Sequence, residues 1–320
     1  MSQPAFKTIA LIGFGEAGGI LGADLAPQRK VCMYDILLDD PVRGDAMRAK
    51  AASAGVDVRP SHADAVRGAD LVIAAVTAAS SLRVAKTVAP HLRSGQIYLD
   101  INSVSPEAKR ASAAVVEASG ADYVEAAVMA AIGPKRIAVP MILGGKRARD
   151  VAAALAPLGF DAVAVADAIG VASAIKMCRS VMIKGLEALT IECLLGARRY
   201  GAETQVLASL HGTFPGMGWD KELPDYLVGR VAEHGKRRAA EMREAAATLE
   251  DGGIAPRMAD ATAALHDWFV AALTERGLAF KSNRAFDWRQ AVDALLDGGA
   301  DAAKRERAPL GAASPAKILS

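Results

Sequence analysis

A turn able to hold a pyrophosphate is the first chemistry the chain offers. Thr8 to Ile12 is a short apolar run of strand character, and it ends in Gly13, Phe14, Gly15, Glu16, Ala17 and Gly18, spaced G-x-G-x-x-G. Gly13 permits the tight turn, Gly15 lets the backbone approach a phosphate, and Gly18 lets the next helix pack close to the strand. That helix, which runs to Pro27, offers unpaired N–H groups and a positive dipole end to an anion. Alone the motif is weak; its context specifies it. A second strand, Lys30 to Tyr34, ends in Asp35, 22 residues past Gly13, close to the roughly 20 at which a carboxylate holds a ribose 2′-hydroxyl. Such a carboxylate repels a 2′-phosphate, so NAD is expected over NADP unless Arg43 or another nearby cation overrides it. The bland alternative is a glycine turn that binds nothing.

A second group lies far along the chain. Lys176, Arg179, Ser180 and Ile183 fall at i, i+3, i+4 and i+7 of a long helical pattern, hence on one face. Lys176 sits inside the apolar sequence Val171-Ala-Ser-Ala-Ile-Lys-Met-Cys178. Desolvation there lowers an amine's pKa toward the range useful for general acid–base work; the alternative is a lysine that snorkels to water. Lys184, i+8 from Lys176, is turned by most of a right angle and belongs to either face.

These residues need elements to place them. From Thr8 to about Ile169 short β-type runs alternate with helical patterns: strands at 71–76, 96–101, 122–129, 140–144 and 161–166, and helices at 80–92, from 105 onward and at 147–158. Such alternation predicts an α/β fold, a Rossmann-type doubly wound and mostly parallel sheet, over residues 1–169. Ligands of that fold sit outside the carboxyl ends of the strands. The loops there carry Val76 and Thr77, then Asn102 and Ser103, then Met129, Ala130 and Ala131, and should line one crevice. An amide and a hydroxyl at 102 and 103 suit a nicotinamide carboxamide or a substrate carboxylate; for Ser103 the competing reading is a helix cap.

At Gly170 the pattern changes. Residues 171–200 read as one long helix, followed by helices near 221–249, 256–276 and 284–296, with a Gly/Pro-rich loop over 212–219. This predicts an all-helical domain over 170–297 and a flexible tail over 298–320. On one of those helices His234 precedes the basic run Lys236-Arg237-Arg238, either a solvated face or a source of cations for an anionic substrate.

Composition narrows the partners. The chain has 320 residues, Lys+Arg 38 against Asp+Glu 36 and a net charge of +2, so no large field draws in nucleic acid or an anionic membrane. A 52% hydrophobic content with 5% aromatics leaves packing to alanine and aliphatic side chains. Cys32, Cys178 and Cys193 have no metal-like or C-x-x-C spacing, the histidines are scattered, and no metal is expected. No targeting or membrane-spanning run is visible, which points to the cytoplasm.

The glycine fingerprint, the Asp100-Ile-Asn-Ser103 segment and Gly170-x5-Lys176-x3-Ser180 together resemble the β-hydroxyacid dehydrogenases, which include 6-phosphogluconate and 3-hydroxyisobutyrate dehydrogenases; the similarity spans roughly the first 250 residues. The resemblance implies Lys176 as catalytic general acid/base with Ser180 in the place of an assisting asparagine. It implies that Asn102 and Ser103 contact nicotinamide and substrate, and that the chain forms a homodimer through the helical domain. The family's Ser-Gly-Gly substrate turn stands here as Met129-Ala130-Ala131, so those positions keep the place without the hydroxyl. The part from Lys184 to Arg238 is similar to a bacterial subgroup of 6-phosphogluconate-dehydrogenase-like NAD-binding proteins with an uncharacterised C-terminal domain. The expected activity is hydride transfer between a nicotinamide and a small, carboxylated hydroxy acid, with decarboxylation as a possible sequel and Arg179 and His234 as anion contacts. An imine reductase and a non-catalytic NAD(P) sensor are the alternatives.

Overall fold

The structure, a computed structural model, describes residues 6–278, 280 and 286–297; the expected tail at 298–320 and the expected helix start at 284 lie outside them. Eight strands form one sheet: β1 Thr8–Ile12, β2 Lys30–Tyr34, β3 Asp57–Val58, β4 Leu71–Ala74, β5 Ile97–Asp100, β6 Asp122–Val128, β7 Met141–Gly144 and β8 Ala162–Ala166. Their order is β3-β2-β1-β4-β5-β6-β7-β8, and every neighbouring pair is parallel except β6 with β7. This is the expected Rossmann-type, mostly parallel sheet.

The intervening α-helices are α1 Glu16–Leu25, α2 Gly44–Ser53, α3 His62–Val66, α4 Ser81–Val88, α5 Pro106–Glu117, α6 Ile132–Lys135 and α7 Ala148–Leu155. β1 and β4 are apolar along almost their whole length and buried on both faces, as parallel strands covered by helices must be. Ile12, Ala74, Asp100 and Glu125 stand in one line across β1, β4, β5 and β6. The segments leaving β1, β4 and β5 therefore emerge side by side at one edge. The strand order reverses at β1, between β2 and β4, which is where a crevice opens in this class of sheet.

After β8 the chain is helical: α8 Val171–Arg199, α9 Glu203–Thr213, α10 Leu223–Asp251, α11 Arg257–Glu275 and α12 Trp288–Asp297. The chain divides into two compact units, the first running to Cys178 and taking in Asp251–Gly253, the second comprising Arg179–Glu250 and the chain from Ile254. Helix α8 thus begins in one unit and ends in the other. The second unit has its own core, in which Ile191, Leu194, Val228, Val231, Phe269 and Trp288 are buried. Two differences from the sequence reading stand out. Helix α9 was not anticipated: it fills a stretch to which no element was assigned and runs into the first two residues of the segment read as loop, and Ala202 before it provides no side-chain cap to announce it. The α12 helix starts at Trp288, where the Asp225 carboxylate accepts the Trp288 N–H at 2.8 Å.

Candidate functional site

The glycine turn has the geometry that a phosphate cradle requires. Gly13 has φ +92°, and a Cβ there would stand 2.4 Å from the Ala75 carbonyl oxygen; only glycine fits. At Gly18 a Cβ would stand 2.1 Å from the Gly13 carbonyl oxygen, so the first turn of α1 is pressed onto the strand end. Gly15 is different: among the described residues no atom lies within 4 Å of where its Cβ would be, and as the residue before α1 it caps the helix with no side-chain hydrogen bond. A helix N-terminus behind a bare glycine that offers no side-chain cap is what a pyrophosphate needs. The residues present therefore fit a dinucleotide.

Two side chains brace that turn. Asp35 accepts the Phe14 N–H at 2.6 Å and the Leu37 N–H at 2.9 Å, so it fixes the turn and starts the short helical turn after β2, with one lone pair per oxygen left for a ribose. Lys50 on α2, which the sequence reading missed, donates to the carbonyls of Phe14 and Gly15 at 2.7 and 2.5 Å and lies 5.3 Å from the Phe14 ring centroid. Phe14 itself is a core side chain, fully buried, and its N–H is donated to Asp35. Glu16 is exposed and Ala17 packs on the core. Arg43 is engaged by Asp40, with Nε 2.9 Å from the carboxylate, and holds that carboxyl down at about 2, so it is not a free cation beside Asp35.

The neighbouring loops are tied together by Asn102. Its side-chain oxygen accepts the Val76 N–H at 2.7 Å and its amide donates to Ser81 Oγ at 3.1 Å. Beneath it, buried Asp100 accepts from the Asn102 N–H at 2.9 Å and the Tyr123 hydroxyl at 2.7 Å, and pairs with Lys109 Nζ at 3.0 Å. Asn102 is thus a brace between two loops. Ser103 has a buried hydroxyl with no hydrogen-bond partner. The cap before α5 is Ser105, whose Oγ accepts the Ala108 N–H at 3.3 Å, so the capping reading of Ser103 is removed. A buried orphan hydroxyl costs free energy unless something bonds it. Thr77 is exposed and bonds the Ser80 hydroxyl at 3.1 Å. Met129 is half-buried, its N–H donating to the Pro140 carbonyl at 2.9 Å, and Ala130 is exposed; neither offers a polar side-chain group.

The start of α8 is held by a residue that periodicity did not flag. Glu125, 0% exposed, accepts the N–H groups of Gly170, Ala172 and Ser173 at 2.6, 3.1 and 3.3 Å and the Ser173 hydroxyl at 2.8 Å. A carboxylate on a helix N-terminus is favourable in both hydrogen bonding and dipole. It fixes the first turn of the helix that carries Lys176, which is half-buried two turns on.

In the second unit Ser180 is buried and Arg179 exposed. The face expected to carry 176, 179, 180 and 183 alike is therefore uneven, with Ile183 also exposed. Lys184, left open by spacing, is buried on the Ser180 side. Its Nζ lies 3.1 Å from Ser180 Oγ and 3.0 Å from the Glu241 carboxylate, and burial pushes its pKa down. One turn further Glu187 is gripped by Arg238 on α10, through Nε at 2.6 Å and through a second, shorter contact. The basic run thus divides: Lys236 and Arg237 are solvated, whereas Arg238 lies inside. The signal was present, since Val231, Gly235, Arg238 and Met242 follow a helical stripe and all four are buried. His234 is half-buried, 3.5 Å from Glu233, and burial lowers its pKa below 6.5; at neutral pH it offers an N–H but no charge.

Among the described residues no group of His, Cys, Asp or Glu is placed to hold a metal, and no helix is long and apolar enough to cross a membrane. Residues 8–164 match the NAD binding domain of 6-phosphogluconate dehydrogenase, and residues 197–269 match a domain of unknown function, DUF1932. A solved structure of a conserved hypothetical protein from Sinorhizobium meliloti 1021 is 38% identical, with a TM-score of 0.77 over 92% of this chain and 97% of its own. The conserved protein MTH1747, described as structurally similar to 3-hydroxyacid dehydrogenases, is 29% identical, with a TM-score of 0.69 over 92% of this chain and 100% of its own. Mitochondrial 3-hydroxyisobutyrate dehydrogenase of Homo sapiens is 25% identical over 232 residues, 70% of this chain and 67% of the relative.

Proposed function

The chain belongs to the 6-phosphogluconate-dehydrogenase-like family of NAD-binding, 3-hydroxyacid-dehydrogenase-like proteins, and from that membership we propose that it oxidises a small carboxylated hydroxy acid with NAD(P). The observation that carries this reading is Ser103, a buried hydroxyl without a partner beside the braced loops at the carboxyl edge of the sheet. A substrate carboxylate or the nicotinamide amide would complete it. A bound nicotinamide supplies the acceptor for the hydride leaving the carbinol carbon.

The chain's own residues do the rest. Gly13, Gly15 and Gly18 admit the pyrophosphate to the start of α1, and Asp35, already fixed by two N–H donors, turns its remaining lone pairs to the ribose, which favours NAD. Lys176 takes the hydroxyl proton as the C=O bond forms and returns it in the reverse direction. Ser180, one turn further along α8, hydrogen-bonds the same oxygen. Exposed Arg179 and the N–H of His234 receive the carboxylate. Where the oxidised carbon is β to that carboxylate, the keto acid formed is activated for loss of CO2. Met182 and Leu189, exposed at 74% and 55% along one side of α8, and Tyr200, exposed at 84% just past its end, support self-association as a homodimer, and three free cysteines fit a reducing cytoplasm.

The test is turnover of a panel of 3-hydroxy acids with NAD and with NADP by wild type and Lys176→Ala. The variant should lose at least about 10²-fold in kcat with NADH affinity, measured by fluorescence titration, unchanged. An undiminished rate in Lys176→Ala removes the lysine from the chemistry. Tight NADH binding with no substrate turned over puts a sensor in place of the enzyme, and turnover of imines alone puts a reductase there.

A further inference from the structure

The buried polar cluster of the second unit contains an arrangement that the proposed chemistry leaves unused. Ser180 is a helical hydroxyl, and such hydroxyls ordinarily donate to the carbonyl four residues back. Thr190, Thr248 and Thr274 in the same unit do so, at 2.7 Å each. Ser180 does not. Its oxygen accepts from Lys184 Nζ at 3.1 Å, and no hydrogen bond among the described residues uses its proton. Lys184 is fixed in turn by the Glu241 carboxylate at 3.0 Å, and both Ser180 and Lys184 are buried. An ammonium can only donate, so the hydroxyl it touches is an acceptor on that side and a donor on the other.

We propose that Lys184 is a positioning residue that holds the Ser180 hydroxyl with its proton turned outward, so that Ser180 serves as a hydrogen-bond donor to a carbonyl or alkoxide oxygen of the substrate. This rests on the reading of Ser180 given above. It also explains how serine can stand where the resemblance expects asparagine: the asparagine amide has fixed donors, and a serine needs a neighbour to orient it. A donor fixed before the reaction costs no reorganisation when charge develops on the oxygen. The groups facing Lys184 are Glu187 on its own helix, Arg238 and Glu241 on α10 and His266 on α11; only Glu241 touches the amine in a way that holds it against Ser180.

The experiment uses the full chain and four variants, Ser180→Ala, Lys184→Met, Lys184→Arg and the double Ser180→Ala/Lys184→Met, with two readouts. On the best panel substrate each of Ser180→Ala and Lys184→Met should lower kcat by roughly 10-fold while the KM for the dinucleotide stays put. The double variant should fall no further than either single one, and Lys184→Arg should recover part of the rate. A double variant at roughly 100-fold, the product of two independent losses, overturns the proposal, as does a wild-type kcat in Lys184→Met. The second readout needs no turnover: in NMR of lysine side-chain NH3+ groups at low temperature, the slowly exchanging Lys184 signal should shift and exchange faster in Ser180→Ala. If it is unmoved, the contact is absent and the proposal fails even where the enzyme is active. If the signal responds but no substrate is turned over, the orientation stands and the dehydrogenase reading falls.

Discussion

Among the described residues each unit of the molecule buries one glutamate, Glu125 on strand β6 and Glu187 on helix α8, and the two charges are met in opposite ways. Glu125, in the sheet unit, is surrounded by three backbone N–H groups and a hydroxyl from the first turn of α8. Glu187, in the helical unit and 1% exposed, is paired with a single guanidinium, Arg238. Partial charges spread over four donors fix a main chain, and no single donor is indispensable. A full countercharge fixes two side chains and depends on one residue. The first arrangement should therefore fail gradually and the second abruptly.

The largest expected effect tests the abrupt case. Arg238→Met leaves the Glu187 carboxylate buried without its partner, and breaking a buried pair from one side costs about 3–5 kcal/mol. Urea denaturation should show that loss, while NADH affinity, which belongs to the sheet unit, stays at the wild-type value. Replacing both partners, as Arg238→Met with Glu187→Leu, should recover most of it, because an apolar pair of similar volume removes the stranded charge. A double variant as unstable as Arg238→Met alone would mean that the cost lies in packing rather than in charge.

A pH experiment refines the same contrast. His266 is 0% exposed, its ring nitrogens make no hydrogen bond among the described residues although Nε2 lies 3.9 Å from the Glu187 carboxylate, and burial first, then the charges of Arg238 and Lys184, lower its pKa from 6.5 to about 4. Between those two values the unfolded chain holds the proton and the folded chain does not, so stability is complete above pH 6.5 and falls as the pH drops toward 4. At about 1.4 kcal/mol per unit the loss is roughly 3 kcal/mol. Burial pushes the Glu187 carboxyl upward against the pull of Arg238, which works in the other sense, so the difference between wild type and His266→Phe reports the histidine together with its 3.9 Å contact to Glu187. The wild-type stability should fall relative to that of His266→Phe from pH 6.5 to 4; parallel curves would remove His266 from the acid response.

How far the sequence revealed this depended on whether a feature was local. The glycine turn, the alternation of strand and helix, and the Asp100 to Ser103 segment were legible because turn, period and spacing all lie within a few residues. Helices α2 and α9 were missed: neither begins with a capping side chain. Glu125 looks like one polar residue in an apolar strand, since the N–H groups that explain it lie 45 to 48 residues away. Lys184 could not be assigned a face from α8 alone; Glu241 on α10 decides it. Arg238 was hidden by its own neighbours, a charge run that suggested solvent although the stripe from Val231 to Met242 placed it inside.

The gradual case is tested by Glu125→Gln. The Gln oxygen keeps the two N–H groups of Gly170 and Ala172 that Glu125 Oε1 now accepts. Its NH2 can donate to the Ser173 hydroxyl oxygen, and that hydroxyl already has the Gly170 carbonyl within 3.1 Å for its own proton. Only the Ser173 N–H is then orphaned, together with the charge on the helix dipole, so the loss should be about 1–2 kcal/mol, below that of Arg238→Met. Because the loosened turn lies at the start of the helix that carries Lys176, kcat should fall a few-fold while NADH affinity holds, a split that a purely global loss of stability would not produce. If Glu125→Gln proves as costly as Arg238→Met, a carboxylate held by backbone dipoles is as brittle as one held by an ion pair, and the distinction between the two units disappears.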